Sequence, residues 1–258
     1  MMIGVIDSGT CGLHVLKLLH KAYPGQVFTY LGDTAFFPFG GKSRVFAANR
    51  LAKLIERQVD FGVRTIVLTC PVMASVSAAV LKDACEIRIV DPYAMIPFEA
   101  VKNAKAISYG VMTEESVIES DRYMSVYNEA FGKEMACSVT VPLLRDFVEQ
   151  DWIKRPEGMR VIKKHLHPFK MKQVNAIFLN SPHLSFIQKL ISEKAGKRLL
   201  LVDPFSNVSQ WLTETAAVEE ADGVSKTPKV FLTDVTEGIK KRAKRFYGSN
   251  IAIEVITI

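Results

Sequence analysis

The sequence predicts an α/β protein made of two pseudo-symmetric, doubly wound parallel-sheet halves with a cleft between them. Two stretches and one rhythm predict it. In Thr65 to Ala78, TIVLTCPVMASVSA, a β-branched apolar run ends at Cys70, Pro71 follows at a first helical position, and small residues carry a helix onward. Ala176 to Ile187, AIFLNSPHLSFI, has the same grammar, so Cys70-Pro71 is matched by Ser181-Pro182. Strands alternating with helices of ordinary length along the chain imply a parallel sheet covered on both faces.

Weaker internal echoes support duplication: IGVIDSG at Ile3 to Gly9 beside YGVMTEES at Tyr109 to Ser116, and VDP at Val90 and again at Val202. The expected division is residues 1–96 with 209–258 in one domain and 97–208 in the other. Two such halves would set the two elbows on opposite sides of one cleft.

Taken in order, Ile3 to Ile6 forms the first strand and runs into Asp7-Ser8-Gly9-Thr10-Cys11-Gly12, after which Leu13, Leu16 and Leu19 mark a helical stripe. A glycine-bearing loop at the carboxyl end of a parallel strand admits a ligand closely, and Asp7 there suits a proton carrier or an ammonium partner. Capping of the helix by Asp7 or Ser8 is the bland alternative. Val27 to Leu31 is a second strand. The loop Gly32 to Ser43, GDTAFFPFGGKS, follows, with an aromatic wall beside Gly40 and Gly41, whose amides suit an anion. Helices are expected over Val45 to Phe61 and from Pro71 to about Cys85, and a short strand over Ile87 to Val90.

From about Pro97 the pattern restarts with a helix. A strand over Ile107 to Met112, a helix around Ile118 to Phe131 and a strand over Met135 to Val139 come next. His165 and His167 lie in a basic stretch, Lys154 to Lys172, that reads as a surface connection. Leu199 to Val202 is strand-like, a helix is expected from about Asn207, and Val230 to Leu232 and Ile251 to Ile256 return to the first half around a terminal helix. In that helix Ile239, Ala243, Phe246 and Tyr247 form a stripe and Gly248 a stop, so its lysines and arginines are a solvated outer face.

Composition bounds the function classes. With 258 residues, 48% of them hydrophobic, the chain can bury a full core. The net charge of +6 comes with no nucleic-acid-binding motif or aromatic interleaving, and nucleic acid is not expected as a partner. No apolar run reaches the roughly 18 residues a membrane span needs, and the N-terminus enters a strand directly, so no membrane partner and a cytoplasmic location are expected. The four cysteines, Cys11, Cys70, Cys85 and Cys137, lie far apart without metal-ligand spacing, which predicts reduced thiols and no metal site. Cys70 itself, at an elbow beside a helix N-terminus, is expected to be half exposed and inclined to the thiolate.

These motifs resemble the cofactor-independent glutamate racemases of the aspartate/glutamate racemase superfamily. DSGTCGL stands against that family's DSGVGGL, GDTAFFPFGGKS against GDTARFPYGTKS, VLTCPVMAS against VVACNTAS, and FLTDVTEGIKKRAKRFYG against a similar C-terminus. The resemblance spans nearly the whole chain. It implies thiol-based proton transfer at an amino acid's α-carbon without a cofactor, in service of peptidoglycan and cell wall biogenesis. It further implies a small carboxylic acid or amino acid such as glutamate as partner, and a homodimer stays an open option.

Carried over residue by residue, the resemblance makes Cys70 the first catalytic cysteine and sets Ser181 in place of the second. Asp7 and His183 become catalytic companions, and Ser8, Pro38, Phe39, Gly40 and Ser116 substrate contacts. The family's Cys-Asn-Thr is Cys70-Pro71-Val72 here and its Cys-Thr-His is Ser181-Pro182-His183. Ser181 is a far weaker acid than a thiol and needs an adjacent base. His183 could supply that base, but two residues along a helix is the wrong face. Arg145 stands where the family has a glutamate, with Glu149 one turn later. A one-cysteine isomerase or decarboxylase, and a non-catalytic carboxylate-binding protein, are the alternatives.

Overall fold

A computed structural model describes residues 2–80, 87–95, 108–120, 122–131, 134–196, 198–206, 212–213 and 225–258. The chain divides into two compact units, Met1–Pro92 with Asn207–Ile258, and Tyr93–Ser206. Each has its own parallel sheet, as the alternating pattern requires.

In the first unit the strands are β1 (Met2–Asp7), β2 (Val27–Gly32), β3 (Thr65–Leu68), β4 (Arg88–Val90), β9 (Lys229–Leu232) and β10 (Ile253–Val255). They form a six-stranded sheet in the order β10-β9-β2-β1-β3-β4, every pair parallel. The helices α1 (Leu13–Ala22), α2 (Arg44–Asp60), α3 (Pro71–Val80) and α10 (Glu237–Tyr247) accompany it. Central strands of a covered parallel sheet read as unbroken apolar runs, and β3 obeys: all four of its residues are buried. Ser43 caps α2, its hydroxyl accepting from Phe46 N at 3.2 Å. Thr236 caps α10 in the same way on Ile239 N at 3.3 Å, and Gly248 ends that helix at φ +88°, where a side chain would be strained.

The second unit holds β5 (Tyr109–Thr113), β6 (Cys137–Thr140), β7 (Ala176–Leu179) and β8 (Leu200–Val202), ordered β6-β5-β7-β8 and again all parallel. Its helices are α4 (Glu115–Ile118), α5 (Arg122–Phe131), α6 (Pro142–Glu149), α7 (Pro156–Met171), α8 (Pro182–Phe186) and α9 (Gln188–Ala195). Aromatic packing fills its core: Tyr127 stacks on Phe178 with ring centroids 4.7 Å apart, and Tyr109 meets Phe178 edge to face at 5.8 Å.

The expected surface connection at His165 and His167 is instead the middle of α7. Pro156 opens that helix, and Ile162, Leu166 and Phe169 recur at helical spacing and are buried, so the basic residues are its outer face. His165 is only 9% exposed and its Nδ1 lies 2.8 Å from the Val161 carbonyl. The two histidines thus follow a helix and not a loop. The helices expected from Pro97 and Asn207, the end of the helix after Cys70, and Cys85 lie outside the described residues.

Candidate active site

Both elbows form as strand, turn and helix. In the first unit, Asp7 ends β1 and Cys70 follows Thr69 just beyond β3. Because β1 and β3 are neighbours in register, Ile3 opposite Thr65 and Ile6 opposite Leu68, their carboxyl ends deliver both side chains to one place.

The Asp7 carboxylate, 2% exposed, is enclosed by donors. Oδ2 accepts from Gly9 N and Gly12 N, each at 3.1 Å, and Oδ1 from Thr69 Oγ1 at 2.9 Å. The Tyr30 hydroxyl lies 3.2 Å from Oδ2 and 2.8 Å from the Gly9 carbonyl. A Cβ at Gly12 would collide with Thr69 Oγ1 and with the Asp7 side chain, so glycine there is a packing requirement of the site. Asp7 does not cap α1; it serves the loop and the elbow.

Cys70 is 3% exposed, and the expectation of a half-exposed thiolate fails. Burial, and after it the charge of Asp7, pushes its thiol up to about 12, outweighing the Ser8 hydroxyl and the Met73 and Val72 N–H groups that point toward the sulfur. Cys70 is therefore a neutral thiol, a proton donor. Ser8 is buried beside it. Of the loop residues, Phe39 is buried and packs on Phe46 with centroids 5.7 Å apart, Pro38 is exposed after a cis peptide, and Gly40 is half-buried. Phe37 lies against Gly9, where a Cβ would approach its ring to 2.7 Å, so the aromatic loop borders the Asp7 turn.

In the second unit, Ser181 is the N-cap of α8 with extended backbone, φ −168° and ψ 142°. That removes the objection that two residues apart means opposite faces. A capping side chain folds back over the first turn, so Ser181 Oγ accepts from His183 N at 3.3 Å and lies 3.3 Å from His183 Nδ1. His183 Nε2 in turn lies 2.7 Å from Glu149 Oε1, at the end of α6. The sequence suggests Glu149 only as a replacement for a family glutamate; its partnership with His183 depends on α6 packing against α8, which no local signal announces.

Arg145, one turn before Glu149, pairs instead with Glu114 at 3.0 Å, buried on both sides, and with the more exposed Asp146 at 3.2 Å. Arg145 and Glu149 therefore have separate partners. Ser116, in α4 just past the carboxyl end of β5, is 8% exposed, and its Oγ has no hydrogen-bond partner among the described residues. A buried hydroxyl so placed lacks the partner that buried polar atoms ordinarily have.

Ser181, His183 and Glu149 follow the order of a hydrolytic triad, but acyl transfer also needs donors for an oxyanion. Pro182, the residue after Ser181, has no N–H, and Ser181 N already donates to the Leu179 carbonyl at 2.9 Å. What remains is a hydrogen-bonded path for a proton. Among the described residues no group of three His, Cys, Asp or Glu side chains could hold a metal, and no helix is long and apolar enough to cross a membrane.

A strand-turn-helix elbow at the carboxyl end of each of two parallel sheets defines an α/β protein of two parallel-sheet units. The chain is similar in sequence and in fold to glutamate racemases over nearly its whole length. It is 27% identical to the glutamate racemase of Ralstonia pickettii over 228 residues, covering 88% of this chain and 80% of that one. To the enzyme of Saccharopolyspora erythraea it is 28% identical over 262 residues, covering 98% and 94%. No family model matches the chain. The solved glutamate racemase RacE1 of Bacillus anthracis superposes with a TM-score of 0.88 at 22% identity, covering 100% of this chain and 97% of that one. The Francisella tularensis enzyme in complex with D-glutamate superposes with a TM-score of 0.85 at 21% identity, over 99% and 97%. The solved structures establish the fold.

Proposed function

We propose that the protein is a cofactor-independent amino-acid isomerase of the glutamate racemase type, with a neutral Cys70 thiol and a Ser181 hydroxyl backed by His183 and Glu149 as its proton-transfer groups. The observation that carries this reading is the unbroken path from Ser181 Oγ to His183 Nδ1 at 3.3 Å and from His183 Nε2 to Glu149 Oε1 at 2.7 Å. It supplies the base that a lone serine lacks.

Inversion requires removal of a proton from one face of the α-carbon and delivery to the other. In the forward direction the α-proton passes to Ser181 Oγ as the hydroxyl proton passes to His183 Nδ1. The imidazolium so formed is balanced by Glu149, and the electron pair of the broken C–H bond stays on the substrate, spread into its carboxylate. Cys70 Sγ–H then delivers its proton to the carbon and is left as thiolate. In the return reaction that thiolate takes the α-proton of the other isomer while the His183 imidazolium returns a proton through Ser181 Oγ. A second turnover in the same direction requires the thiolate to gain and the imidazolium to lose a proton to solvent. Burial, and after it the charge of Asp7, keeps the sulfur protonated at rest. Phe39 and Gly40, Ser8 and the unpartnered Ser116 hydroxyl are the proposed substrate contacts.

Incubation of L- and D-glutamate in deuterated water tests this. The expected result is α-deuterium in the inverted product from both isomers, with Ser181→Ala losing exchange from one isomer only. Deuterium entry with retained configuration would replace racemisation by one-thiol chemistry. If neither glutamate nor any other common amino acid exchanges its α-proton, the isomerase reading falls, and titration calorimetry with small carboxylates decides whether binding alone remains.

A further inference from the structure

The elbow that carries Ser181 and His183 is fastened at both ends to the residues where the chain enters and leaves its unit. That unit runs from Tyr93 to Ser206. At the front, fully buried Asn180 donates Nδ2 to the Tyr127 hydroxyl at 2.7 Å, and that hydroxyl donates to the Tyr93 carbonyl at 3.0 Å. At the back, Ser185 Oγ donates to Asp203 Oδ2 at 2.6 Å, while Asp203 Oδ1 accepts from Phe205 N at 2.9 Å. The rings of Tyr93 and Phe205 meet edge to face, centroids 5.6 Å apart, and close the circuit.

All six of these residues are buried, and the elbow helix they bracket has only five residues. A helix of that length does not hold its own shape; its pose comes from what it is bonded to. Asn180 immediately precedes Ser181, and Ser185 lies two residues beyond His183, so the two attachments flank the proton path. Burial pushes the Asp203 carboxyl up, against the donors Ser185 and Phe205 N–H.

We propose that this circuit is a positioning frame, in which Asn180, Tyr127, Ser185 and Asp203 hold Ser181 Oγ in line with His183 Nδ1 and couple that alignment to the two segments by which the chain passes between its units. The functional part of the inference rests on the isomerase reading above; the geometric part does not. None of the four touches the reacting atoms. They act through the elbow.

The test uses the full chain with Tyr127→Phe and Ser185→Ala, each of which removes one hydroxyl, and Ser185→Thr, which keeps it. α-Proton exchange is followed for each glutamate enantiomer separately, and the ring nitrogens of His183 are followed by NMR. Exchange from the enantiomer that depends on Ser181 is expected to fall tenfold or more in kcat, with KM changed less than twofold, while exchange from the other enantiomer changes less than twofold. Ser185→Thr is expected to restore the rate, and the His183 ring signals to shift in both disruptive variants. An equal fall for both enantiomers would make the circuit merely structural and overturn the proposal. Should the wild-type protein exchange no α-proton, the isomerase reading fails by itself. The His183 signals then decide the frame: unchanged signals in both variants reject it. If Tyr127→Phe does not fold, Ser185→Ala carries the same test.

Discussion

His183 Nε2 lies 2.7 Å from Glu149 Oε1, and both side chains are less than a tenth exposed. The bond fixes which way the imidazole faces and leaves Nδ1 toward Ser181. Glu149→Gln preserves size and a hydrogen-bonding group but removes the charge that balances an imidazolium. It is expected to lower α-proton exchange on the Ser181 side by about 100-fold or more, the scale of a positioned acid–base group. Stability should change by about 1 kcal/mol or less, because a partner for Nε2 remains. Glu149→Leu, which leaves the ring without that partner, should cost about 1–3 kcal/mol in chemical denaturation.

Cys70 is expected to resist alkylation. Its thiol is 3% exposed and raised to about 12, and the thiolate is the reactive form. Peptide-resolved labelling with iodoacetamide near pH 8 should therefore modify half-buried Cys137 before Cys70. Denaturation should abolish the difference. Faster labelling of Cys70 in the native protein would show that the elbow opens far more often than its packing implies.

Acid stability has an identifiable contributor in His14. Burial, with Lys17 adding to it, lowers His14 from 6.5 to about 4. As pH falls below 6.5 the unfolded chain takes up a proton that the folded protein refuses until about 4, so folding stability is lost across that window. The loss attributable to this group is on the order of 3 kcal/mol. His14→Gln should flatten urea-denaturation stability between those two pH values while leaving the profile above pH 7 nearly parallel to wild type. An unchanged slope would remove His14 as the cause.

The fold is legible in the sequence because it rests on local signals. Apolar runs such as Ile66 to Leu68 and Ile177 to Leu179, each ending in a small polar residue and proline, mark parallel strands and their turns with little tertiary help. The pairing of Cys70 with Asp7 follows from the same source, since adjacent parallel strands bring their carboxyl ends together. Glu149 and His183 are harder. They lie 34 residues apart on separate helices, and their meeting is decided by packing. Ser181 and His183 mislead for a different reason: helical spacing does not govern a residue that caps the helix from outside it. The thiolate inclination of Cys70 fails because a helix terminus contributes about 1 kcal/mol or less at exposed sites, whereas full burial and a neighbouring carboxylate act against the charge more strongly. His165 and His167 read as a connection because charge density hides the Ile162, Leu166, Phe169 stripe.

The two elbows offer a direct comparison of what surrounds a thiol when burial is matched. Ser181 is 1% exposed and Cys70 3%, so access is nearly equal, but Ser181 faces an imidazole at 3.3 Å where Cys70 faces the charge of Asp7. In Ser181→Cys the introduced thiol can pass its proton to His183 Nδ1, whose ring is held in place by Glu149 at Nε2. The substituted position is therefore expected to alkylate at least tenfold faster than Cys70 at pH 7, measured on separated peptides from one sample. Adding His183→Asn should bring its rate down toward that of Cys70, because the proton then has no acceptor. Equal rates in the single variant would mean that His183 does not act as a base toward residue 181, and the proton path of the second elbow would have to be abandoned.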